Sequence, residues 1–360
     1  MTTTTRPATL PTVTLVVPNF NHARYLPESL GSIASQTRAP DRVLIIDDCS
    51  TDDSIAVISR FVADRPSWRL IRHETNQGVV RGQNEALAIA DTEWIGFLGA
   101  DDALHPTYLE KAMAQAASHP EAGLVFACCE IIGPRGPSAR RMLRPIMLPA
   151  LASTMLAPAD LRQALRFGDN YFSGTTSLYR RTALQALGGF DVKLGSFSDA
   201  FLARRLALTY GCCFIAEALG YWRIHGQNYS TATATDPASL NAKLADIGAL
   251  IAQSKLFPEG YGDLFARRNR FGAARMVLGG ETMPSAKAAR VKAARVSALL
   301  DGNALDTHLL RVMLSFGAVG RLAALAWVTL RTRPMSLTRL LAQTAARRAI
   351  LSATPGYRAP

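Results

Sequence analysis

Three groups of acidic residues lie at the predicted ends of strands: Asp47 with Asp48, Asp101 with Asp102, and Asp199. In a parallel sheet the carboxyl ends of the strands border one crevice, so carboxylates that are distant in sequence can meet there. Carboxylates placed together repel each other unless a cation offsets their charge, and hard divalent ions take oxygen ligands. The clusters therefore indicate a site for a divalent metal ion with a phosphate-bearing ligand.

Each cluster taken alone also has a structural explanation, because Asp is favoured in turns and at helix N-termini. Asp52 and Asp53 precede a predicted helix, and we interpret them as caps. No motif supports a functional role for His73 or His105, and we interpret both as structural. The ordered series of acidic clusters is what favours a functional site.

The elements that must position these residues alternate along the chain. Strands are predicted at 13–17, 42–46, 68–71, 94–98, 123–128 and 218–225, and helices at 24–36, after 53, at 79–90 and from 106 to 118. This alternation predicts an α/β fold with a mostly parallel sheet flanked by helices. No G-x-G-x-x-G motif follows the first strand, where Pro18 to Asn21 stand instead, which argues against a dinucleotide-binding enzyme.

The alternation of predicted strands and helices is interrupted at two places along the chain. Pro, Gly and Arg are frequent in residues 132–158, which predicts a loop or flap. After residue 231 the sequence is rich in Ala, Leu and Arg at helical spacing. We therefore expect a flexible N-terminus at 1–11, a catalytic domain at 12–230 and a C-terminal α-helical region at 231–360.

The net charge of +12 is confined to the last hundred residues. Positions 261–360 carry 16 basic and four acidic residues, whereas the first 260 positions carry 24 of each. The basic part has few aromatic residues that could stack on bases, so nucleic acid is not the expected partner.

The cysteines and the N-terminus bear on the cellular compartment. The five cysteines are Cys49 and the adjacent pairs 128–129 and 212–213, which lack metal-type spacing. We interpret them as reduced, buried thiols of a cytoplasmic protein. Residues 1–11 lack the apolar core of a signal peptide, so we expect no translocation.

The most apolar stretch of the tail, 309–330, is interrupted by Arg311 and Arg321. Its charge-free runs of nine residues are far shorter than the roughly 20 residues of a spanning helix. A helix over 309–333 could instead rest its apolar side in the headgroup region of the inner membrane face while Arg meets anionic lipid. The sequence leaves an alternative open, in which these helices pack on the catalytic domain or on a second copy in a homodimer.

Four motifs carry a resemblance to a known family. In order along the chain they read VTLVVPNFNHARYLPESLGSIASQT, VLIIDDCSTDDS, NQGVVRGQN and WIGFLGADD. Together they resemble the family 2 glycosyltransferases with the GT-A fold over about residues 12–105. The later segments LGGFD, SDAFLARRL and WRIHGQNYS extend the resemblance to about residue 230.

The resemblance implies an inverting hexosyltransferase that moves a sugar from a nucleotide-diphospho-sugar to a hydroxyl of a glycan, lipid-linked or protein acceptor, as in polysaccharide biosynthesis. It implies Mg²⁺ or Mn²⁺ between the two phosphates. The positions that match donor-binding motifs are Pro18, Phe20, Asn21, Asp47, Asp48, Asn76, Gly78, Arg81, Asn84 and Asp101. Among these, Asp48 matches the acid that contacts the base, and Asp47 supports it, whereas Phe20 could equally be a core residue.

The resemblance also implies metal ligands, a base and an acceptor side. Asp101, Asp102 and His225 match the metal ligands. Asp199 matches the general base, which takes the proton of the acceptor hydroxyl as its oxygen attacks the anomeric carbon. The segment lining the acceptor side is matched by Ser173, Gly174 and Thr175.

Three positions depart from the family pattern. Gly99 stands where the first aspartate of the aspartate-any-aspartate motif is expected, Gln83 stands where Arg is frequent, and Ser198 replaces a Glu before Asp199. Arg81 could compensate for Gln83. These departures keep a second hypothesis open, namely a catalytically silent nucleotide-sugar-binding relative that acts as a sensor or a membrane-recruited binding protein.

Overall fold

The computed structural model of this chain describes residues 10–145, 147–169, 171–225, 228, 234–279, 286–332, 337–354 and 356. Residues 1–9 of the predicted flexible N-terminus lie outside these ranges, as do residues 226, 227, 229 and 230 of the WRIHGQNYS segment. The chain divides into two compact units. The first comprises 1–161, 171–225 and 343–360, and the second comprises 162–170 and 226–342.

The strands and helices up to residue 225 follow the predicted alternation. In chain order they are β1 Val13–Asn19, α1 Leu26–Ala34, β2 Arg42–Asp47, α2 Ser54–Val62, β3 Trp68–Arg72, α3 Val79–Ile89, β4 Trp94–Phe97, β5 Ala103–Leu104, α4 Tyr108–Ser118, β6 Leu124–Gly133, β7 Gly136–Arg144, β8 Thr154–Leu156, α5 Pro158–Phe167, β9 Ser177–Arg180, α6 Arg181–Ala186, α7 Ser198–Tyr210 and β10 Cys212–Arg223. Short 3-10 turns at Gly174–Thr176 and Val192–Phe197 precede β9 and α7.

The ten strands form one sheet in the order β3-β2-β1-β4-β9-β6-β10-β5, with β7 added to β6 and β8 added to β10. β1 pairs in parallel with β2 and β4, and β2 pairs in parallel with β3. β9 runs antiparallel to β4 and β6, so the sheet is mixed beyond its first four strands. Because β1, β2 and β4 are parallel neighbours, their carboxyl ends and the loops that follow them lie at one edge.

The core is built from apolar side chains that recur along each helix or strand at the spacing that places them on one face. Leu26, Leu30 and Ile33 occur at helical spacing on α1, and all three are fully buried. They join the buried strand residues of β1 and β2, such as Leu15 and Ile45, in the main hydrophobic cluster of the first unit. The five cysteines are free, and four of them are buried, as predicted for structural thiols.

The predicted loop at 132–158 contains more regular structure than its composition indicated. β6 continues to Gly133, and β7 returns antiparallel beside it from Gly136, whose φ of 114° suits glycine at a tight turn. On this hairpin the buried carboxylate of Glu130 accepts two hydrogen bonds from Arg141, at 2.9 and 2.8 Å. The Gly and Pro residues therefore make a turn between strands rather than an irregular flap.

The C-terminal helix, labelled α13 in chain order, spans Leu337–Ala353 and returns to the first unit. Gln343 exchanges two side-chain hydrogen bonds with the backbone of Leu148, at 2.7 and 3.1 Å. Arg141 donates to the carbonyl oxygens of Leu351 and Thr354, at 2.6 and 3.1 Å. Residues 343–354, which the sequence placed in the expected helical region 231–360, therefore pack with the first unit.

The second unit is built from five helices within its described residues: α8 Pro237–Gln253, α9 Tyr261–Gly279, α10 Ala286–Leu299, α11 Ala304–Leu314 and α12 Gly317–Thr332. The last four share an apolar core that includes Ala274, Val296, Leu310 and Val328. Asn303 caps α11 and forms a capping box with Asp306. Among the residues that the structure describes, no helix is both long and apolar enough to span a bilayer.

One buried arginine ties together the edge of the sheet at which the acidic loops lie. Arg223, the last residue of β10, is 2% exposed. Its Nε donates to the carbonyl oxygen of Asp101 at 2.8 Å, and its Nη1 donates to that of Gly133 at 3.0 Å. Its Nη2 forms an ion pair with Glu28 at the start of α1, and the guanidinium lies 5.1 Å from the centre of the Tyr25 ring.

We predict that Arg223→Met lowers the free energy of unfolding of the first unit by about 1–3 kcal/mol, because it removes one donor from the half-buried carboxylate of Glu28 and from two carbonyl oxygens. Urea unfolding followed by the fluorescence of Trp68, Trp94 and Trp222 measures this loss. The exposed Arg42 is the control, since Arg42→Met should change the free energy by less than about 0.5 kcal/mol. Equal urea midpoints for the two variants would show that Arg223 does not hold this edge.

Candidate active site

The first two strands end in a hydrogen-bonded pair of side chains. Asn19 at the end of β1 donates through Nδ2 to Oδ2 of Asp47 at 2.7 Å, and the backbone amide of Ser50 donates to Oδ1 of Asp47 at 2.9 Å. Asp47 is buried. Its carboxylate therefore shapes the loop after β2 from within, and a contact between Asp47 and a donor stays a prediction.

The loop after β1 is fixed by Asn21, one of the predicted donor-binding residues. Asn21 has a φ of 57°, and its Oδ1 accepts from the backbone amides of Thr51 and Asp52, at 2.8 and 3.3 Å. Phe20 is exposed beside it, and Pro18 lies in β1 opposite residue 46 of β2. The side-chain oxygen of Asn21 thus joins the loops after β1 and β2.

Asp48 organises the loop after β3. Its carboxylate accepts from the backbone amides of Gln77 and Gly78, both at 2.8 Å, and pairs with Nδ1 of His73 at 2.8 Å. Nε2 of His73 pairs with Glu85, also at 2.8 Å. Burial acts to lower the pKa of His73, but its hydrogen bonds with the two carboxylates outweigh that effect and raise the pKa. His73, interpreted from the sequence as structural, is the bridge between Asp48 and α3.

The motif around α3 meets the segment before α7. Asn84 donates through Nδ2 to the carbonyl oxygen of Phe190 at 2.8 Å and accepts from the amide of Phe190 at 2.9 Å. Its amide therefore positions the GGFD segment. Asn76 accepts from the backbone amide two residues later at 3.2 Å, and Arg81 is exposed on α3. Donor contacts by Asn76, Arg81 and Asn84 stay predictions.

Asp101 and His225, two predicted metal ligands, are brought together. Oδ2 of Asp101 lies 2.9 Å from Nε2 of His225. His22, from the loop after β1, offers a third ligand atom, and the three atoms lie within 4.8 Å of one another. The His225 ring stacks on the Tyr25 ring with centroids 5.2 Å apart and planes 18° apart, which fixes its orientation.

Asp102, the other predicted metal ligand, forms hydrogen bonds within the protein, and its contact with a metal stays a prediction. Within the part of the chain that the structure describes, Asp102 does not belong to the group that could hold an ion. It is buried, where its carboxylate accepts from Oγ1 of Thr175 and from the backbone amide of Arg223, both at 2.8 Å. Burial raises its pKa well above the ordinary value, and the neighbouring charge of Asp101 adds to the rise.

Gly99 occupies a position where a side chain would crowd the carboxylates of the two acids that follow it. A Cβ atom there would lie 2.8 Å from Oδ1 of Asp101 and 3.1 Å from Oδ2 of Asp102. Both distances are shorter than ordinary contacts between such atoms, so an aspartate at this position would displace both carboxylates. The carboxylates of Asp101 and Asp102 therefore lie where the side chain of an aspartate at position 99 would begin.

Asp199, the predicted general base, lies in the first turn of α7 and is half-buried. Its Oδ2 faces Gly174 so closely that a Cβ at residue 174 would lie 2.8 Å away. Burial raises the pKa of Asp199, while the backbone amide of Ala200 and the charges of Arg204 and Arg144 act in the opposite direction.

The segment predicted to line the acceptor side lies in and next to the short turn that directly precedes β9. Ser173 is buried, its Oγ lies 3.0 Å from Sγ of Cys129, and its carbonyl oxygen accepts from Oγ of Ser177 at 2.7 Å. Thr175 donates to Asp102. Ser173 and Thr175 thus hold the turn in place, and their contacts with an acceptor stay predictions.

Two residues of this site were not singled out in the sequence. His22 has a signal, because it directly follows Asn21 in the loop after the first strand, where polar residues face the crevice. Its pKa is lowered mainly by burial and further by His225, whereas Asp101 acts to raise it. Arg223 has no comparable signal, because an arginine at the end of a strand is exposed more often than buried.

Comparison with known proteins bears on the family and the fold. Residues 14–188 match the model of the family described as glycosyl transferase family 2. An uncharacterized glycosyltransferase of Nostoc sp. is 28% identical over 234 residues, which is 64% of this chain and 70% of that protein. A PGL/p-HBAD biosynthesis glycosyltransferase of Mycobacterium tuberculosis is 32% identical over 117 residues, which is 32% of this chain and 46% of that protein.

Two solved structures share the fold. One is TarS 1–349 of S. aureus in complex with UDP-GlcNAc, with a TM-score of 0.57, 18% identity and coverage of 89% of this chain and 90% of that one. The other is the mannosyltransferase PcManGT of Pyrobaculum calidifontis in complex with GDP-Man and Mn²⁺, with a TM-score of 0.54, 20% identity and coverage of 95% and 88%. The family match covers the loops after β1, β2, β3 and β4 and ends before Asp199 and His225, and we conclude that residues 14–188 are a glycosyl transferase family 2 domain within a chain of the GT-A fold.

Proposed function

We propose that this chain transfers a sugar from a nucleotide-diphospho-sugar to an acceptor hydroxyl with inversion at the anomeric carbon. The observation that carries the proposal is the position of the turn Gly174–Thr176. Thr175 donates to Asp102 in the loop after β4, and Gly174 faces the carboxylate of Asp199. One turn therefore borders both the acidic loop next to Asp101 and the proposed base.

The donor is proposed to bind at the carboxyl ends of β1, β2 and β4. Asp48 and the loop that it holds at Gly78 would receive the base, as the resemblance implies. The complexes of TarS with UDP-GlcNAc and of PcManGT with GDP-Man support a nucleotide-sugar as the donor class. Asp101 and His225 would hold a divalent cation, which when bound would offset the charge on the leaving diphosphate.

Asp199 is proposed to act as the general base. The acceptor oxygen attacks the anomeric carbon from the face opposite the diphosphate, the bond from that carbon to the diphosphate oxygen breaks, and the hydroxyl proton passes to the Asp199 carboxylate. The products are a glycoside and a nucleoside diphosphate. A base with a raised pKa holds the transferred proton more firmly, which favours this step near neutral pH.

We predict that Asp199→Asn lowers the rate of sugar transfer by about 10²–10⁴-fold, the usual contribution of a general base. Because the pKa of Asp199 is raised, wild-type activity should fall on acidification at a higher pH than an ordinary aspartate would give. Release of nucleoside diphosphate in the presence of acceptor measures both effects. The exposed Asp64 is the control, and Asp64→Asn should transfer sugar at the wild-type rate.

Undiminished transfer by Asp199→Asn would remove Asp199 from this role. The departures at Gly99, Gln83 and Ser198 keep open the hypothesis of a catalytically silent relative, which predicts another outcome. In that case wild-type protein would bind a nucleotide-sugar tightly in calorimetry but would release no nucleoside diphosphate with glycan, lipid-linked or protein acceptors.

We predict that Asp101→Ala weakens metal-dependent donor binding by at least about tenfold, because even partners outside the first coordination sphere contribute that much. Calorimetric titration of UDP- and GDP-sugars in Mn²⁺, in Mg²⁺ and in EDTA measures the loss. Asp64→Ala is the matched control and should bind as wild type. Equal wild-type affinities in Mn²⁺ and EDTA would contradict a role for metal in donor binding.

The helices of the second unit suggest where the acceptor comes from. Val319, Leu322 and Leu330 of α12 are 74%, 67% and 70% exposed, at the spacing of one helix face, while Ala324 and Val328 on the other face are buried. Positions 261–360 carry the whole net charge of the protein. We propose that this face rests on the anionic inner face of the cytoplasmic membrane, so that a lipid-linked acceptor stays near the enzyme.

We predict that the full chain sediments with anionic vesicles and not with neutral ones, and that salt releases it, because each basic residue near such a surface adds about 1 kcal/mol. Val319→Gln combined with Leu322→Gln should reduce sedimentation. Leu151→Gln alters another exposed leucine and should not. Substitutions are preferable to truncation, because residues from 343 onward pack on the first unit. A wild-type chain that ignores anionic vesicles at low salt would contradict the proposal and leave this face for a homodimer.

A further inference from the structure

His22 approaches Asp101 and His225 although no motif assigns it a role. One ligand atom from each of the three residues lies within 4.8 Å of the others. The rings of His22 and His225 meet edge to face with centroids 5.9 Å apart. The group therefore offers two imidazoles and one carboxylate around one point in space.

His22 has a nitrogen that the protein leaves unsatisfied. Its Nδ1 is buried and has no hydrogen-bond partner among the residues that the structure describes. A buried polar atom in this state costs about 1–3 kcal/mol and needs an explanation, such as an ion that binds there. The backbone around His22 is firmly held, because its carbonyl oxygen accepts from Tyr25 and Leu26 and the next amide donates to Asp52.

Position 99 cannot supply the ligand that the family pattern places there. Gly99 has no side chain, and a Cβ atom would come within 2.8 Å of Asp101. Asp102 points to Thr175 and the backbone of residue 223 instead of joining the group. With these two positions excluded, His22 is the additional donor beside Asp101 and His225 among the described residues.

We propose that His22 is a direct metal ligand, which replaces the carboxylate missing at position 99 and gives the site a donor set of two histidines and one aspartate. Such a set favours a first-row transition cation such as Mn²⁺ over Mg²⁺, which prefers oxygen ligands and keeps most of its water. The inference rests on the proposed function only for the statement that the cation faces the donor diphosphate.

The test uses the full chain and Mn²⁺ without any sugar donor. Electron paramagnetic resonance of free Mn²⁺ gives the affinity, and spin-echo modulation shows how many imidazole nitrogens couple to the bound ion. We expect two coupled imidazoles in wild type and one in His22→Ala, with an affinity at least about tenfold lower in the variant. Mg²⁺ in tenfold excess should not displace Mn²⁺ from wild type.

Two further variants keep the result specific. His22→Asp restores a carboxylate, so it should bind Mg²⁺ more tightly relative to Mn²⁺ than wild type does, which loss of folding could not produce. His119→Ala removes a histidine outside the group and should leave both signals unchanged. Coupling to fewer than two imidazoles in wild type, or an unchanged spectrum in His22→Ala, would overturn the proposal.

The outcome is separable from that of the proposed transfer reaction. Asp199→Asn should bind Mn²⁺ as wild type does, because Asp199 is not among the ligands. Two coupled imidazoles in a protein that transfers no sugar would contradict the proposed function and uphold the metal site. Sugar transfer by the wild-type chain, together with unchanged Mn²⁺ coupling in His22→Ala, would uphold the proposed function and contradict the metal site.

Discussion

The buried guanidinium of Arg223 is the interaction on which the site edge depends. It joins the carbonyl oxygens of the loops after β4 and β6 to the carboxylate of Glu28 on α1, and its own backbone amide donates to Asp102. Removing a charge from water is costly unless every donor finds an acceptor, so the position of each loop is set by the need to satisfy this group. Asp101 is consequently held close to His225, which follows the end of β10 by two residues.

A second constraint is that most acids and amides of the motifs are already satisfied by the protein. Asp47, Asn21 and Asp48 accept backbone amides of neighbouring loops, and Asn84 binds the backbone of Phe190. Such bonds fix the loops before a ligand arrives, which reduces the entropy that binding must overcome. The motifs therefore act first on the shape of these loops, and the proposed chemistry rests on the groups around Asp101 and Asp199.

Asp102 connects these two chemical centres. Its carboxylate accepts from Thr175, whose neighbour Gly174 lies against Asp199. The carboxylates of Asp102 and Asp199 are thus linked through one hydrogen bond and one close contact of the same turn. The small residue at 174 matters here, because any side chain would push away the carboxylate that is proposed to take the proton.

The sequence by itself determined the alternating strands and helices, the acidic loops at the strand ends and the family match over residues 14–188, because hydrophobic period and motif order are local properties of the chain. It also determined that Asp101 and His225 meet, through the resemblance. Only the tertiary structure decided that residues 136–144 form a strand, that the chain returns to the first unit at residue 343, and that His22 rather than Asp102 completes the group with Asp101 and His225. These outcomes depend on contacts between residues far apart in sequence, above all the bonds of Arg223 and Asp102, and neither composition nor spacing encodes which donor a buried carboxylate will find.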